Sequence, residues 1–195
     1  MAKYIEEILE AELRRLAVTE GMNAVTGTGL VKNTGINRKT FYNHFSGIGD
    51  MLRRMLRSGF RQTVSGNTSP YTWDIAVRSC MNAMRQNRDF LEAVFSSKYG
   101  PEARETLRRE IDLATAGFVQ QAKRILSERS GRTYILSADQ EGYLVMFYSA
   151  MLSAMMQRWF AGGMKESIQE FVTMIGTLTE DTIYAGIAAF DAQEK

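Results

Sequence analysis

Apolar residues recur along this chain at spacings of three and four, and nowhere alternate with polar ones as a half-buried strand requires. Over residues 3–20, Ile5, Ile8, Leu9, Leu13, Leu16 and Ala17 make one helical stripe, closed by Gly21. Thr26 is a good N-cap for a short segment carrying Leu30 and Val31, which Gly35 breaks. Asn37 can cap a second short helix, from Arg38 to about Phe45. A turn at Ser46, Gly47, Ile48 and Gly49 leads into a longer amphipathic helix with Met51, Leu52, Met55, Leu56 and Phe60 on one side.

Residues 65–70, SGNTSP, are small, polar and end in proline, which makes them the best break in the chain. Beyond them the pattern predicts helices at about 72–87, 89–98, 101–129, 138–162 and 167–191. Ser137 with Gln140, and Ser167 with Glu170, fit the reciprocal capping box that opens a helix. Gly131 and the pair Gly162 and Gly163 mark the stops before them. The expected fold is all-α, with about nine helices. It divides into a three-helix part at 1–46, a connecting helix at 47–65 and a helical domain at 66–195.

Composition narrows the class. Hydrophobic residues at 45% and charged residues at 24% are ordinary for a globular protein. Two prolines leave room for long helices, and the single Cys80 cannot form an internal disulfide. A reduced, cytoplasmic setting is the expectation. The acidic, amphipathic N-terminus does not read as a secretory signal. The longest apolar run, residues 143–156, is 14 residues long, whereas a membrane span needs about 20; no membrane association is expected. A helix that is apolar all round but this short suits a core or an interface between subunits.

The net charge of +2 is unevenly spread. Residues 26–61 hold Lys32, Arg38, Lys39, Arg53, Arg54, Arg57 and Arg61 against Asp50 alone, the footprint of an anion-binding face. Within that block the two short helices around Gly35 suggest a helix-turn-helix, because glycine permits the sharp reversal between them. Leu30, Val31, Ile36 and Phe41 would seal the pair. Asn37, Arg38, Lys39, Thr40, Tyr42, Asn43 and His44 then remain on the second helix. All can hydrogen-bond and two are cations, as a major-groove reader requires.

Residues 26–45, TGTGLVKNTGINRKTFYNHF, resemble the N-terminal signature of the TetR (tetracycline repressor) family, through Thr26, Leu30, Gly35, Ile36, Thr40, Phe41, Tyr42, His44 and Phe45. The specific likeness covers about the first 60 residues. A weaker echo lies at Trp159 to Met164 followed by Ser167, which resembles a junction between the last two helices of some members. The resemblance implies a homodimeric, ligand-responsive repressor on a near-palindromic double-stranded DNA operator. Tyr42 and His44 would contact phosphates, and Thr40 a phosphate or a base methyl. Asn37, Arg38 and Lys39 would face base edges or backbone, and Thr26 and Thr28 would approach the backbone. Departures from the pattern are Gly27 and Gly29 in the first turns of the supporting helix, Val31 for alanine, and Ile48 for a phosphate-contacting lysine. Arg53 and Arg54 are the candidates to replace that lysine.

Other chemistry is poorly supplied. His44 is the only histidine, so no nucleophile–base pair or metal set is expected, and with it no enzyme activity, no metal and no cofactor. Gly27, Thr28, Gly29 and Lys32 lack the spacing of a phosphate loop. Met81, Met84, Phe90, Phe95, Tyr99, Phe118, Tyr143, Met146, Phe147 and Met151 could line a pocket for a small apolar or amphipathic ligand, or serve as ordinary core. Small residues Ala150, Ser153, Ala154, Gln157 and Ala161, and then Thr182, Ala185, Gly186 and Ala189, give two helix faces suited to close packing in a dimer. They could equally pack on each other within one chain. The alternative to a DNA-binding regulator is a helical protein-interaction module on the same fold that has lost DNA binding.

Overall fold

The computed structural model describes residues 2–193; Met1, Glu194 and Lys195, the ends of the expected domains, lie outside the described residues. Among the described residues there are ten α-helices and no strand: α1 (Ala2–Leu16), α2 (Gly27–Thr34), α3 (Arg38–His44), α4 (Ile48–Val64), α5 (Trp73–Gln86), α6 (Arg88–Phe95), α7 (Gly100–Ser130), α8 (Ala138–Ala161), α9 (Ile168–Thr179) and α10 (Thr182–Gln193). They form two compact units, residues 1–60 with 86–107, and residues 61–85 with 108–195.

In the first unit, α1 continues through a π-helical turn at Ala17–Gly21, where Gly21 takes a φ of +83°. Leu9, Leu13 and Leu16 of α1 are buried, with Leu30, Phe41, Phe45, Met51, Leu52, Phe90, Leu91 and Val94. Each such side chain contributes roughly 1.5–3 kcal/mol on leaving water. The Arg14 guanidinium donates to Asn87 Oδ1 at 2.8 Å and lies 4.6 Å from the Phe90 ring centroid, so α6 returns to α1 across a long stretch of sequence.

The local signals act as their chemistry predicts. Thr26 Oγ1 accepts from the Gly29 N–H at 3.1 Å and opens α2. Gly35 has φ +70°, a left-handed conformation that side-chain residues resist. Asn37 Oδ1 accepts from the Lys39 N–H at 2.7 Å and opens α3. Ile48 and Gly49 form the first turn of α4 instead of a loop, because Asp50 accepts from the Ser46 N–H at 3.1 Å and closes that end. Gly27 has a packing role. A Cβ there would meet Phe41 Cε1 at 3.2 Å, so its low helix propensity is the cost of bringing α2 close to α3.

In the second unit both capping boxes form, Ser137 with Gln140 and Ser167 with Glu170. The stretch 167–191, expected as one helix, is two, broken between Thr179 and Thr182. Thr177, Thr179 and Thr182 hydroxyls donate back to the carbonyls of Thr173, Ile175 and Leu178. Such back-bonding bends helices. At the end of α8, Gly163 and Met164 take φ of +82° and +56°. The Trp159 indole N–H donates to the Glu166 carbonyl at 3.1 Å and fastens that junction. Buried Glu110 receives Arg61 at 2.7 Å, and buried Asp191 receives Arg132 and, at 2.9 Å, the Ile135 N–H.

Replacing Gly35 with alanine is expected to cost about 1–2 kcal/mol, because the left-handed turn then carries a Cβ. Urea unfolding followed by circular dichroism measures this, and an unchanged midpoint would mean that the turn is not held left-handed.

Candidate nucleic-acid interface

Helix α3 is too short to bury more than one side. Phe41 is fully enclosed, as is Leu30 of α2, and Phe45 just beyond the helix is nearly so. Val31 and Ile36 are only half-buried, so the seal rests on Leu30 and the two phenylalanines. The opposite face carries Arg38, Lys39, Tyr42 and Asn43, all exposed, with Thr40 and His44 half-buried at its edge. Thr26, Thr28 and Asn37 are exposed beside it, and so is Lys32.

Neighbours pre-orient several of these groups. The Tyr42 ring stands edge-on to Phe41, centroids 5.1 Å apart, and the Arg38 guanidinium lies 5.6 Å from the Tyr42 centroid. Tyr42 remains 49% exposed, enough to present its hydroxyl to a ligand. Gly27 leaves room for that hydroxyl, which would lie 3.5 Å from a Cβ there. Thr26 Oγ1 and Asn37 Oδ1 are committed to helix caps, so Asn37 has only its amide N–H groups to offer outward.

Sequence reasoning missed the residue that holds His44. Glu6 of α1 lies with Oε1 3.1 Å from His44 Nδ1. A carboxylate there can accept from an Nδ1–H and fix the orientation of the ring, as carboxylates do for functional imidazoles. No spacing rule links positions 6 and 44.

The basic block is smaller than its sequence count. Asp50 pairs with Arg53 at 2.8 Å and with Arg54 at 3.1 Å, and Arg53 also reaches Glu102 at 2.7 Å. Both arginines, the candidates to replace the lysine missing at Ile48, are thus paired with carboxylates, and Ile48 itself is buried. Burial alone would raise the Asp50 carboxyl, but the Ser46 N–H and the two arginines outweigh it and hold the group below the usual carboxylate range.

The residues suggested for a pocket are divided between the two units. Phe90, Phe95 and Tyr99 belong to the first unit, and the other seven to the second. Within the second, Met81 and Phe118 are buried and Met84 and Met151 half-buried, whereas Tyr143, Met146 and Phe147 are 58%, 61% and 62% exposed. Those three share one open face of α8 with Ala150, Ala154, Gln157 and Ala161, all exposed; Ser153 is half-buried beside it. On α10, Thr182, Ala185 and Ala189 are exposed. Gly186 turns inward, where a Cβ would meet Leu144 Cδ2 of α8 at 3.2 Å. Among the described residues no group of three His, Cys, Asp or Glu side chains could hold a metal ion, and no helix is long and apolar enough to cross a membrane.

Residues 71–181 match the family model TetR_C_8, described as the C-terminal region of a transcriptional regulator. No curated protein sequence matches the chain. Among solved structures, the dihydroxyacetone kinase operon activator DhaS superposes with a TM-score of 0.63, at 16% identity, over 95% of this chain and 97% of that one. At that identity the likeness is one of fold.

The Asp50 pairing carries a sign that can be checked. A carboxyl depressed in the folded chain adds stability above its unfolded pKa, and that stability is lost as pH falls through the folded value. Asp50→Asn is expected to be less stable than the parent at pH 7, with the difference shrinking as pH drops below about 4. Thermal unfolding across that range tests it; a gap that stays constant with pH would remove the Asp50 carboxylate as its source.

Proposed function

Since the chain belongs to the TetR family of transcriptional regulators, we propose that it binds a near-palindromic operator as a homodimer and represses transcription until a small ligand releases it. The observation that carries this reading is the outward face of α3, where Arg38, Lys39, Tyr42 and Asn43 are exposed over a sealed Leu30 and Phe41. A helix of this composition enters a major groove with cations on phosphates and amides on base edges. In this reading Tyr42, Thr40 and His44 meet backbone or a base methyl, Glu6 positions His44, and Thr26 and Thr28 flank the phosphates. Residues 1–46 are the DNA-binding part, 47–65 the connecting helix and 66–195 the part that dimerises and senses ligand. A regulator of this kind works in the cytoplasm.

The open face of α8 supports the dimer. Tyr143, Met146, Phe147, Ala150, Ala154 and Ala161 form one exposed stripe, and exposed apolar surface of this extent invites a partner. A second copy fits best, because small residues at the centre of the stripe allow close helix approach and an isologous four-helix contact with Thr182, Ala185 and Ala189 of α10. Two α3 helices would then meet half-sites about 34–36 Å apart. Ligand binding would shift the population toward a spacing that no longer fits two grooves. DhaS is by name an activator; the direction of control is read from transcription with and without the protein.

If Lys39 neutralises a phosphate, Lys39→Ala weakens binding to all duplexes alike and lowers the slope of log affinity against log salt by about 1. A slope equal to that of the parent would take Lys39 off the backbone. For the dimer, Ala154→Arg is expected to sediment as a single 22.0 kDa chain at micromolar concentration, with unchanged helicity, while the parent sediments at twice that mass. A variant that remains dimeric would exclude this face.

A further inference from the structure

His44 is the only histidine of the chain, and the partner of its ring decides what it can do. Nδ1 lies 3.1 Å from Glu6 Oε1. An ionised carboxylate only accepts, so the proton of that contact sits on Nδ1. In the neutral ring Nε2 is then a lone pair. Nε2 has no partner among the described residues and is not sealed from solvent, so it is the nitrogen left for an outside group. A phosphate also only accepts. Neutral His44, tied to Glu6, therefore has no proton to offer a phosphate. Only the imidazolium donates both ways, from Nδ1 to Glu6 and from Nε2 to a phosphate.

The surrounding charges sharpen the choice. Along α1, Tyr4, Glu7 and Glu10 stand within about a turn of Glu6. Arg38, Lys39 and Tyr42 share α3 with His44, and Lys32 is the only titratable side chain of α2. From α4, Arg54 lies 5.5 Å from the Phe45 ring, which is itself 6.2 Å from the imidazole, and Arg54 is paired with Asp50. The charged group in contact with the ring is thus an acid. Beside a neutral His44 the Glu6 carboxylate repels a phosphate; beside the imidazolium its charge is offset.

We propose that DNA binding by this chain is coupled to the uptake of one proton at His44, with Glu6 as the positioning residue that sets the coupling. A solvent proton adds to the Nε2 lone pair, and the imidazolium so formed bridges the Glu6 carboxylate and a backbone phosphate of the duplex. No other bond forms or breaks. The inference adds a regulation to the DNA-facing surface proposed above and rests on that reading. The complex keeps a proton that the free chain releases as pH rises. Affinity is therefore highest on the acid side and falls as pH increases.

The test reads the affinity of the full chain for a mixed-sequence duplex of about 30 base pairs at fixed low salt, where phosphate contacts dominate. Fluorescence anisotropy is followed between about pH 5.5 and 8.5, the span in which histidines titrate. His44→Asn supplies the baseline, since it keeps a polar side chain and has no proton to take up. The parent's log affinity is expected to fall with pH more steeply than this baseline, by a slope approaching about 1. Glu6→Gln can donate its amide N–H to Nδ1, which lets a neutral ring carry its proton on Nε2 and meet a phosphate unaided. It is expected to lie flat on the baseline and to bind about tenfold tighter than the parent at the alkaline end. Nitrogen-15 spectra of the single imidazole give a second readout on the unaltered chain. At about pH 7.5 the free ring should be protonated on Nδ1 alone, and the duplex-bound ring on both nitrogens. A free ring protonated on Nε2 alone, a neutral ring in the complex, or a Glu6→Gln slope equal to the parent's would each overturn the coupling. Duplex binding with the parent's slope equal to the baseline removes the coupling and leaves the DNA reading standing. No duplex binding by the parent at any pH removes both.

Discussion

The burial of Phe41 close to the backbone of Gly27 is the contact on which the outward face of α3 depends. Helix α3 has seven residues and cannot hold itself together in water. It persists because one aromatic ring is driven into the first unit. That choice decides the rest of the helix: with Phe41 inside, positions 38, 39, 42 and 43 face outward. Gly27, which weakens α2 as an isolated helix, lets it approach α3 closely enough to enclose the ring. A larger residue at position 27 would push against Phe41, and the exposed face would turn with it.

Electrostatics refines that surface. Seven cations in residues 26–61 suggest a broad basic face, but Asp50 and Glu102 pair with Arg53 and Arg54 and offset their charge. What remains outward on and beside α3 is Lys32, Arg38 and Lys39, together with polar groups fixed by their neighbours. Glu6 brings a negative charge close to this face, and its position against His44 Nδ1 makes it an orienting group for the imidazole. A focused patch favours register over sheer attraction, which is the division of labour expected between positioning contacts and base reading.

How much was legible in the sequence follows from the range of each interaction. Thr26, Gly35, Asn37, Ser137 and Ser167 act within four residues of themselves, and their caps and turn follow from local rules. The fold class followed from periodicity, and the family from the spacing of nine residues in 26–45. Contacts across the chain were not legible: Glu6 with His44, Arg53 with Glu102, and α6 against α1 have no linear signature. Helix α8 was hard to read for another reason. It is apolar on nearly every side, so no stripe marks which side is open, and Tyr143, Met146 and Phe147, which could line a pocket or serve as core, lie exposed on the same face as Ala150 and Ala154. The break between α9 and α10 depends on threonine hydroxyls turning back on the helix, a choice that composition alone does not dictate.

The central claim is that the outward face of α3 reads DNA in a two-fold assembly. Selection of binders from a random duplex pool at near-physiological salt tests it most directly. The account predicts enrichment of an inverted repeat whose half-sites lie about one helical turn, or a whole multiple of it, apart. A folded chain that enriches no sequence would contradict it, and would leave a helical protein-interaction module as the reading of the fold.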